Sequence, residues 1–196
     1  MLLVITLVIA YLLGSINCAI IVCKLANLPD PRTQGSNNPG ASNILRTAGK
    51  TYALLTFLGD GLKGFIAVFI GLILGVHGMM LSIVGLVAVL GHMYPLFFRF
   101  QGGKGVATAL GSYFALSFPL GIISLVIWFA LAAIFRYASL ASLVTCIITP
   151  IICLFFQPAY FVGLVLMALI IIWRHRSNIE RLRSGNEAKI VFNKPE

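Results

Sequence analysis

Three polar stretches interrupt an otherwise apolar chain, and each combines turn-forming residues with fixed positive charge. The first reads Gly35-Ser36-Asn37-Asn38-Pro39-Gly40-Ala41-Ser42-Asn43, with Arg46 three residues on. Gly, Ser and Asn allow tight turns that expose backbone N–H groups, and a guanidinium can complete such a concave site around a phosphate. The second reads Gln101-Gly102-Gly103-Lys104-Gly105-Val106-Ala107-Thr108. Lys104 supplies a point charge there, and Gly102, Gly103 and Gly105 let an anionic group approach the start of the following helix. The spacing is not that of a nucleotide-binding Walker loop. In the third, Trp173 to Glu187, a helix would put His175 and Asn178 on one face, with Arg174 and Arg181 on another. Each stretch also has a plainer reading, as a capped turn or as a basic anchor at an anionic membrane surface.

Other residues stand out by where they fall. Asp60 and Lys63, three apart within an apolar run, belong on one helical face and should point inward and pair. His92 lies near the end of its run and reads first as a hydrogen-bonded structural residue. Ser139, after Arg136 and Tyr137, could donate to a ligand or cap a helix. Cys18, Cys23, Cys146 and Cys153 lie in apolar runs without metal-ligand spacing and read as small core residues. A zincin motif, a nucleophile-elbow serine and an aspartate cluster for Mg²⁺ are all missing. Three glycine- and cation-rich connections with few acids suit binding of phosphorylated molecules without a metal.

The elements that position these residues must lie in a bilayer. Sixty per cent of the 196 residues are apolar and 10% charged, with mean hydropathy +1.02, which excludes a water-soluble globule. The sequence predicts an all-α polytopic membrane protein, one domain over 1–196. Its apolar runs are Leu2 to Leu25, Thr51 to Val76, Met79 to Phe98, Val106 to Ser117, Leu120 to Ile134, Ser139 to Phe156 and Tyr160 to Trp173. That gives seven transmembrane helices, or five with residues 106–134 as a re-entrant hairpin. The first run reads as a retained span rather than a cleaved signal. The net charge is +9, and 13 of 14 cations fall on alternate connections or the tail, the exception being Lys63. The positive-inside rule then puts the N-terminus outside and the C-terminus in the cytoplasm. No basic patch interleaved with aromatics suggests nucleic-acid binding.

Together, Gly35 to Asn43 with Arg46, Gly102 to Thr108 and His175-Arg176-Ser177-Asn178-Ile179-Glu180-Arg181-Leu182 resemble the bacterial acyl-phosphate:glycerol-3-phosphate acyltransferase family (PlsY). Gly14-Ser15-Ile16, Asp60 to Gly64 and Gly91-His92 match its pattern too, so the likeness runs along nearly the whole chain. Asn37 replaces the family's usual Gly, Ser42 its common Thr, and Asn17 the Pro that often follows Gly-Ser-Ile.

The resemblance implies a seven-span inner-membrane enzyme with its active site facing the cytoplasm. It would move a fatty acyl group from acyl phosphate to the 1-hydroxyl of glycerol 3-phosphate, giving lysophosphatidic acid and phosphate, the first acylation of phospholipid biosynthesis. No cofactor, metal, acyl-carrier protein or coenzyme A is expected, and the partners are the two substrates and membrane lipids. On this reading Ser36, Arg46, Lys104 and His175 do the chemistry. Gly35, Asn38, Gly40, Asn43, Gly102, Gly103, Gly105, Ser139 and Asn178 bind substrate, while Asp60, Lys63 and His92 are structural. The base that takes the hydroxyl proton is left between His175 or His92 and the donor's own phosphate. A transporter or channel for phosphorylated solutes and a structural subunit binding anionic lipid are the competing classes.

Overall fold

The computed structural model describes residues 1–190; the tail's last cation, Lys194, lies outside the described residues. Among the described residues the regular structure is helical throughout, with no strand. The helices are α1 (Leu2–Gly14), α2 (Cys18–Leu25), α3 (Ala41–Thr47), α4 (Lys50–Ile73) and α5 (Gly78–Met93). They continue as α6 (Val106–Leu116), α7 (Phe118–Phe135), α8 (Ala138–Phe156), α9 (Phe161–Arg174) and α10 (Arg176–Arg183).

All seven apolar runs are helical, but they are not equally long. Leu2–Leu25, Lys50–Ile73, Gly78–Phe98, Phe118–Phe135 and Ala138–Phe156 are long and apolar enough to cross a bilayer, and the bent pair Pro158–Arg174 with Arg176–Arg183 gives a sixth candidate. Helix α6 has only 11 residues, about 16 Å of rise against a hydrocarbon core of about 30 Å. It packs closely against α4. Gly64 of α4 lies against the backbone of Thr108, and Gly111 of α6 lies against the Gly61 carbonyl. A Cβ at Gly64 or Gly111 would overlap those backbones, so small residues set the α4–α6 crossing, as they do in membrane helix pairs. Outward-facing Leu54, Leu58, Leu62, Val126, Phe129 and Leu169 remain exposed, the pattern of helices solvated by lipid on one side.

The first span is broken at Ser15–Asn17, and the break explains the buried charges. Unwinding frees a carbonyl and an amide that cannot meet water within a bilayer. Lys63 Nζ donates to the Ile16 carbonyl, and the Cys18 amide donates to Asp60 Oδ1 at 3.3 Å. Asp60 and Lys63 pair at 2.8 Å, both nearly inaccessible, and Lys63 Nζ lies 2.9 Å from His92 Nδ1. The expected inward ion pair is present, and it holds a helix break. Asn17 caps α2 by accepting from the Ile20 amide at 3.1 Å, a role proline lacks. No cysteine is disulfide-bonded; Cys23, Cys146 and Cys153 are buried and Cys18 is partly so.

Candidate active site

The cationic connections converge on one cavity of about 810 Å³. Its polar wall includes Gly35, Ser36, Asn38, Gly40 and Arg46 of the first loop, Lys104 and Gly105 of the second, and Ser139, His175 and Asn178. Its apolar wall runs between α4, α6, α7 and α8, through Phe57, Leu110, Tyr113, Leu125, Trp128 and Cys146. One chamber thus joins cations and hydrogen-bond donors to a greasy slot, the pair of environments an amphiphile needs.

The first loop is organised from inside by Asn43. Its Oδ1 accepts from the Ser36 amide at 2.9 Å, and its Nδ2 donates to the Pro31 and Gln34 carbonyls, each at 3.0 Å. Asn43 is 2% exposed, so both amide hydrogens serve the loop rather than a ligand. The Arg46 residue is exposed, and its guanidinium has no hydrogen-bond partner among the described residues. Asn37 adopts φ +57°, a left-handed conformation that Asn tolerates better than most residues.

The second loop is braced from behind. Arg174 donates to the carbonyls of Gly102 (3.0 Å) and Gly103 (3.2 and 3.3 Å), and its guanidinium lies 5.4 Å from the centre of the Tyr94 ring. The Gly103 amide donates to the His92 carbonyl at 3.2 Å. A Cβ at Gly103 would overlap His92 Nε2 and come within 2.8 Å of the Pro39 carbonyl. Gly102 and Gly103, expected at the substrate, are not among the residues that line the cavity. They are small because the loop must press against α5 and the first loop to aim Lys104. Lys63 likewise lies outside the cavity wall, whereas Asp60 and His92 form part of it.

Lys104 Nζ donates to Asn178 Oδ1. Burial, with Arg181, Arg174 and Arg46 nearby, lowers its pKa to about 8 despite the opposing pull of Glu187. The chain bends by 60° at His175, and both His175 and Asn178 are buried in the cavity wall. His175 Nδ1 lies 2.8 Å from the Ile171 carbonyl. A carbonyl only accepts, so in the neutral ring this assigns the proton to Nδ1 and leaves Nε2 as an acceptor.

Neither the bracing role of Arg174 nor any role of Glu187 is signalled in the sequence. Helix α10 ends in a Schellman turn, with left-handed Gly185 donating to Leu182 and Asn186 donating to Arg181. That turn brings Glu187 back to accept from Ser139 Oγ (2.6 Å), Asn178 Nδ2 (2.6 Å) and Arg181 Nε (2.7 Å). The glycine after a basic helix was a legible stop signal, but the partners of Glu187 were not. Among the described residues no group of three His, Cys, Asp or Glu side chains is placed to hold a metal ion.

Residues 4–185 match the family model described as glycerol-3-phosphate acyltransferase. This chain belongs to the glycerol-3-phosphate acyltransferase family. A glycerol-3-phosphate acyltransferase of Coxiella burnetii (strain Dugway 5J108-111) is 48% identical over 188 residues, 95% of this chain and 97% of that one. One of Vibrio campbellii is 48% identical over 181 residues, 92% of this chain and 89% of that one. The crystal structure of the integral membrane glycerol 3-phosphate acyltransferase PlsY in its glycerol 3-phosphate form superposes with a TM-score of 0.91 at 40% identity, covering 96% of each chain. Its lysophosphatidic acid form gives 0.89 at 39% identity, with 96% of this chain and 95% of that one covered. The architecture is therefore that of an integral membrane acyltransferase of this family.

Proposed function

We propose that the chain transfers a fatty acyl group from acyl phosphate to the 1-hydroxyl of glycerol 3-phosphate, releasing lysophosphatidic acid and phosphate. The observation that carries this reading is the single cavity in which Arg46, Lys104, Ser139, His175 and Asn178 meet an apolar slot. A donor with an acyl tail and a phosphate head fits both halves, and a small phosphorylated polyol fits the polar half. A membrane subunit that only gathers anionic lipid would need the charges but not the tightly packed glycine at Gly103.

In this scheme Arg46, Ser36, Asn38, Gly35 and Gly40 hold one substrate phosphate, and Asn43 keeps their loop in shape. Lys104 neutralises the second anion or the oxyanion that develops on the acyl carbon, with Gly105 allowing it to approach the start of α6. Gly102 and Gly103 position Lys104. Ser139, His175 and Asn178 orient glycerol 3-phosphate. The acyl anhydride is already activated, so attack by the hydroxyl needs orientation and charge stabilisation more than a covalent intermediate. The oxygen attacks the carbonyl carbon, the carbon–oxygen bond to phosphate breaks, and phosphate departs. We assign the hydroxyl proton to the donor's phosphate, with Nε2 of His175 as the alternative acceptor. A His175→Asn variant that keeps turnover within about tenfold supports the phosphate; loss of the acid limb of the pH profile supports His175.

The cations take the place that a metal would otherwise fill beside the phosphates, so the reaction is proposed to be metal-independent and to need neither acyl-carrier protein nor coenzyme A. The chain is assigned seven membrane-crossing helices in one domain, with short α6 among them. The N-terminus is placed outside and the cavity opens to the cytoplasm in a bacterial inner membrane, as the side bearing nearly all cations suggests. The test is product analysis from palmitoyl phosphate and glycerol 3-phosphate with EDTA present: lysophosphatidic acid is expected, and product that forms only when a metal or thioester donor is added would overturn the reading.

A further inference from the structure

Glu187 stands apart from the rest of the polar wall. The cavity is lined by two carboxylates among the described residues, and that of Asp60 is buried and paired with Lys63. The Glu187 side chain is 9% exposed and faces a wall that includes Arg46, Lys104 and Arg181. Ser139, Asn178 and Arg181 together supply three hydrogen bonds to it. An ionised carboxylate offers about four acceptor positions, so one remains on Oε2.

Those bonds are not needed to hold the tail in place. The Ile190 amide donates to the Arg136 carbonyl at 2.6 Å, Arg136 donates back to the Ile190 carbonyl at 3.2 and 3.3 Å, and the Schellman turn fixes residues 185 and 186. Asn178 marks a boundary between two environments: its Oδ1 meets the Lys104 cation and its Nδ2 meets the Glu187 anion. A phosphate is attracted to the first environment and repelled by the second. A hydroxyl donates well to a carboxylate, and such charge-assisted bonds are among the stronger ones.

We propose that Glu187 determines acceptor specificity: its carboxylate accepts from a hydroxyl of the acceptor and repels bare phosphate, so that a polyol phosphate lies with its phosphate turned away from Glu187. This rests on the acyltransferase reading, since it takes glycerol 3-phosphate to be the molecule that enters. Glu187 does not take the reacting proton. Burial raises its pKa, but the donors Ser139, Asn178 and Arg181 outweigh burial and hold the carboxyl below its ordinary value, which makes it a weak base.

The test is steady-state kinetics of the intact protein and of Glu187→Gln, with palmitoyl phosphate as donor and inorganic phosphate as competitor. Loss of a charged hydrogen bond to the acceptor should raise KM for glycerol 3-phosphate about tenfold or more. It should also tighten inhibition by inorganic phosphate severalfold while leaving KM for palmitoyl phosphate within twofold. Glu187→Asp should recover part of the loss. Unchanged acceptor KM and phosphate inhibition would overturn the proposal, as would a fall in kcat alone. If Glu187→Gln does not fold, Glu187→Asp carries the same test, and an acceptor KM equal to the parent's overturns it. A parent protein without transfer activity would overturn the acyltransferase reading itself, an outcome distinct from an active parent with an indifferent variant.

Discussion

Asp60, Lys63 and His92 form one charged cluster, and Lys104, His175, Asn178 and Glu187 form another, from nearly the same side chains. In the first, Lys63 meets a carboxylate, a backbone carbonyl and an imidazole, and no cation is left to bind anything else. In the second, Lys104 among the described residues bonds only to the neutral amide oxygen of Asn178, within a cavity that reaches the apolar slot. The same residue type secures a helix break in one place and faces a ligand site in the other. Whether the charge is already satisfied by the fold is what distinguishes them.

The largest effect should come from breaking the closed cluster. Lys63→Met leaves Asp60 buried without its cation, which should cost about 3–5 kcal/mol and appear as a lower thermal midpoint and less folded protein. Lys63→Met with Asp60→Asn should recover much of that loss. If the single variant were as stable as the parent, the cluster would not be holding the break.

Breaking the open cluster should do the reverse. Lys104→Met should lower kcat/KM by at least about 3 kcal/mol, over a hundredfold, with little change in thermal midpoint. Gly103→Ala keeps every charge yet pushes against His92 and the Pro39 carbonyl, so it should misplace Lys104 and reduce turnover about tenfold or more. Unchanged turnover in Gly103→Ala would favour a lysine that acts only through bulk charge.

The pH profile sharpens the same contrast more gently. Lys104, with its pKa lowered to about 8, is cationic below that pH and neutral above it. The value of kcat/KM should therefore decline as pH rises through about 8, and bound anions should extend kcat to higher pH by favouring the cation. A profile flat to pH 10 would exclude a cationic Lys104 with the lowered pKa. Smallest of all, Asn17→Ala removes the cap of α2 and should cost about 1 kcal/mol, read as a modest drop in thermal midpoint at unchanged specific activity.

Much of this contrast was legible in the sequence. Asp60 and Lys63 at helical spacing in an apolar run had to turn inward, and seven apolar runs had to be helices. Gly35, Arg46, Lys104, Ser139, His175 and Asn178 do share one cavity. The rest depended on packing between distant segments. The sequence does not show that Arg174, some seventy positions after Gly102 and Gly103, holds their carbonyls from behind. Nor does it show that the Asn43 amide bonds within its own loop. Glu187 carried no spacing signal, because its partners on α8 and α10 meet it only through the turn at Gly185. The reach of α6 was unclear for a related reason: its crossing with α4 is set by glycines on both helices.

The most direct test measures phosphate release from palmitoyl phosphate by the parent protein and by Lys104→Met, with EDTA, with and without glycerol 3-phosphate, alongside thermal unfolding. Release should require glycerol 3-phosphate in the parent and fall more than a hundredfold in a variant that unfolds at the same temperature. Parent-level release by a folded Lys104→Met protein would contradict this.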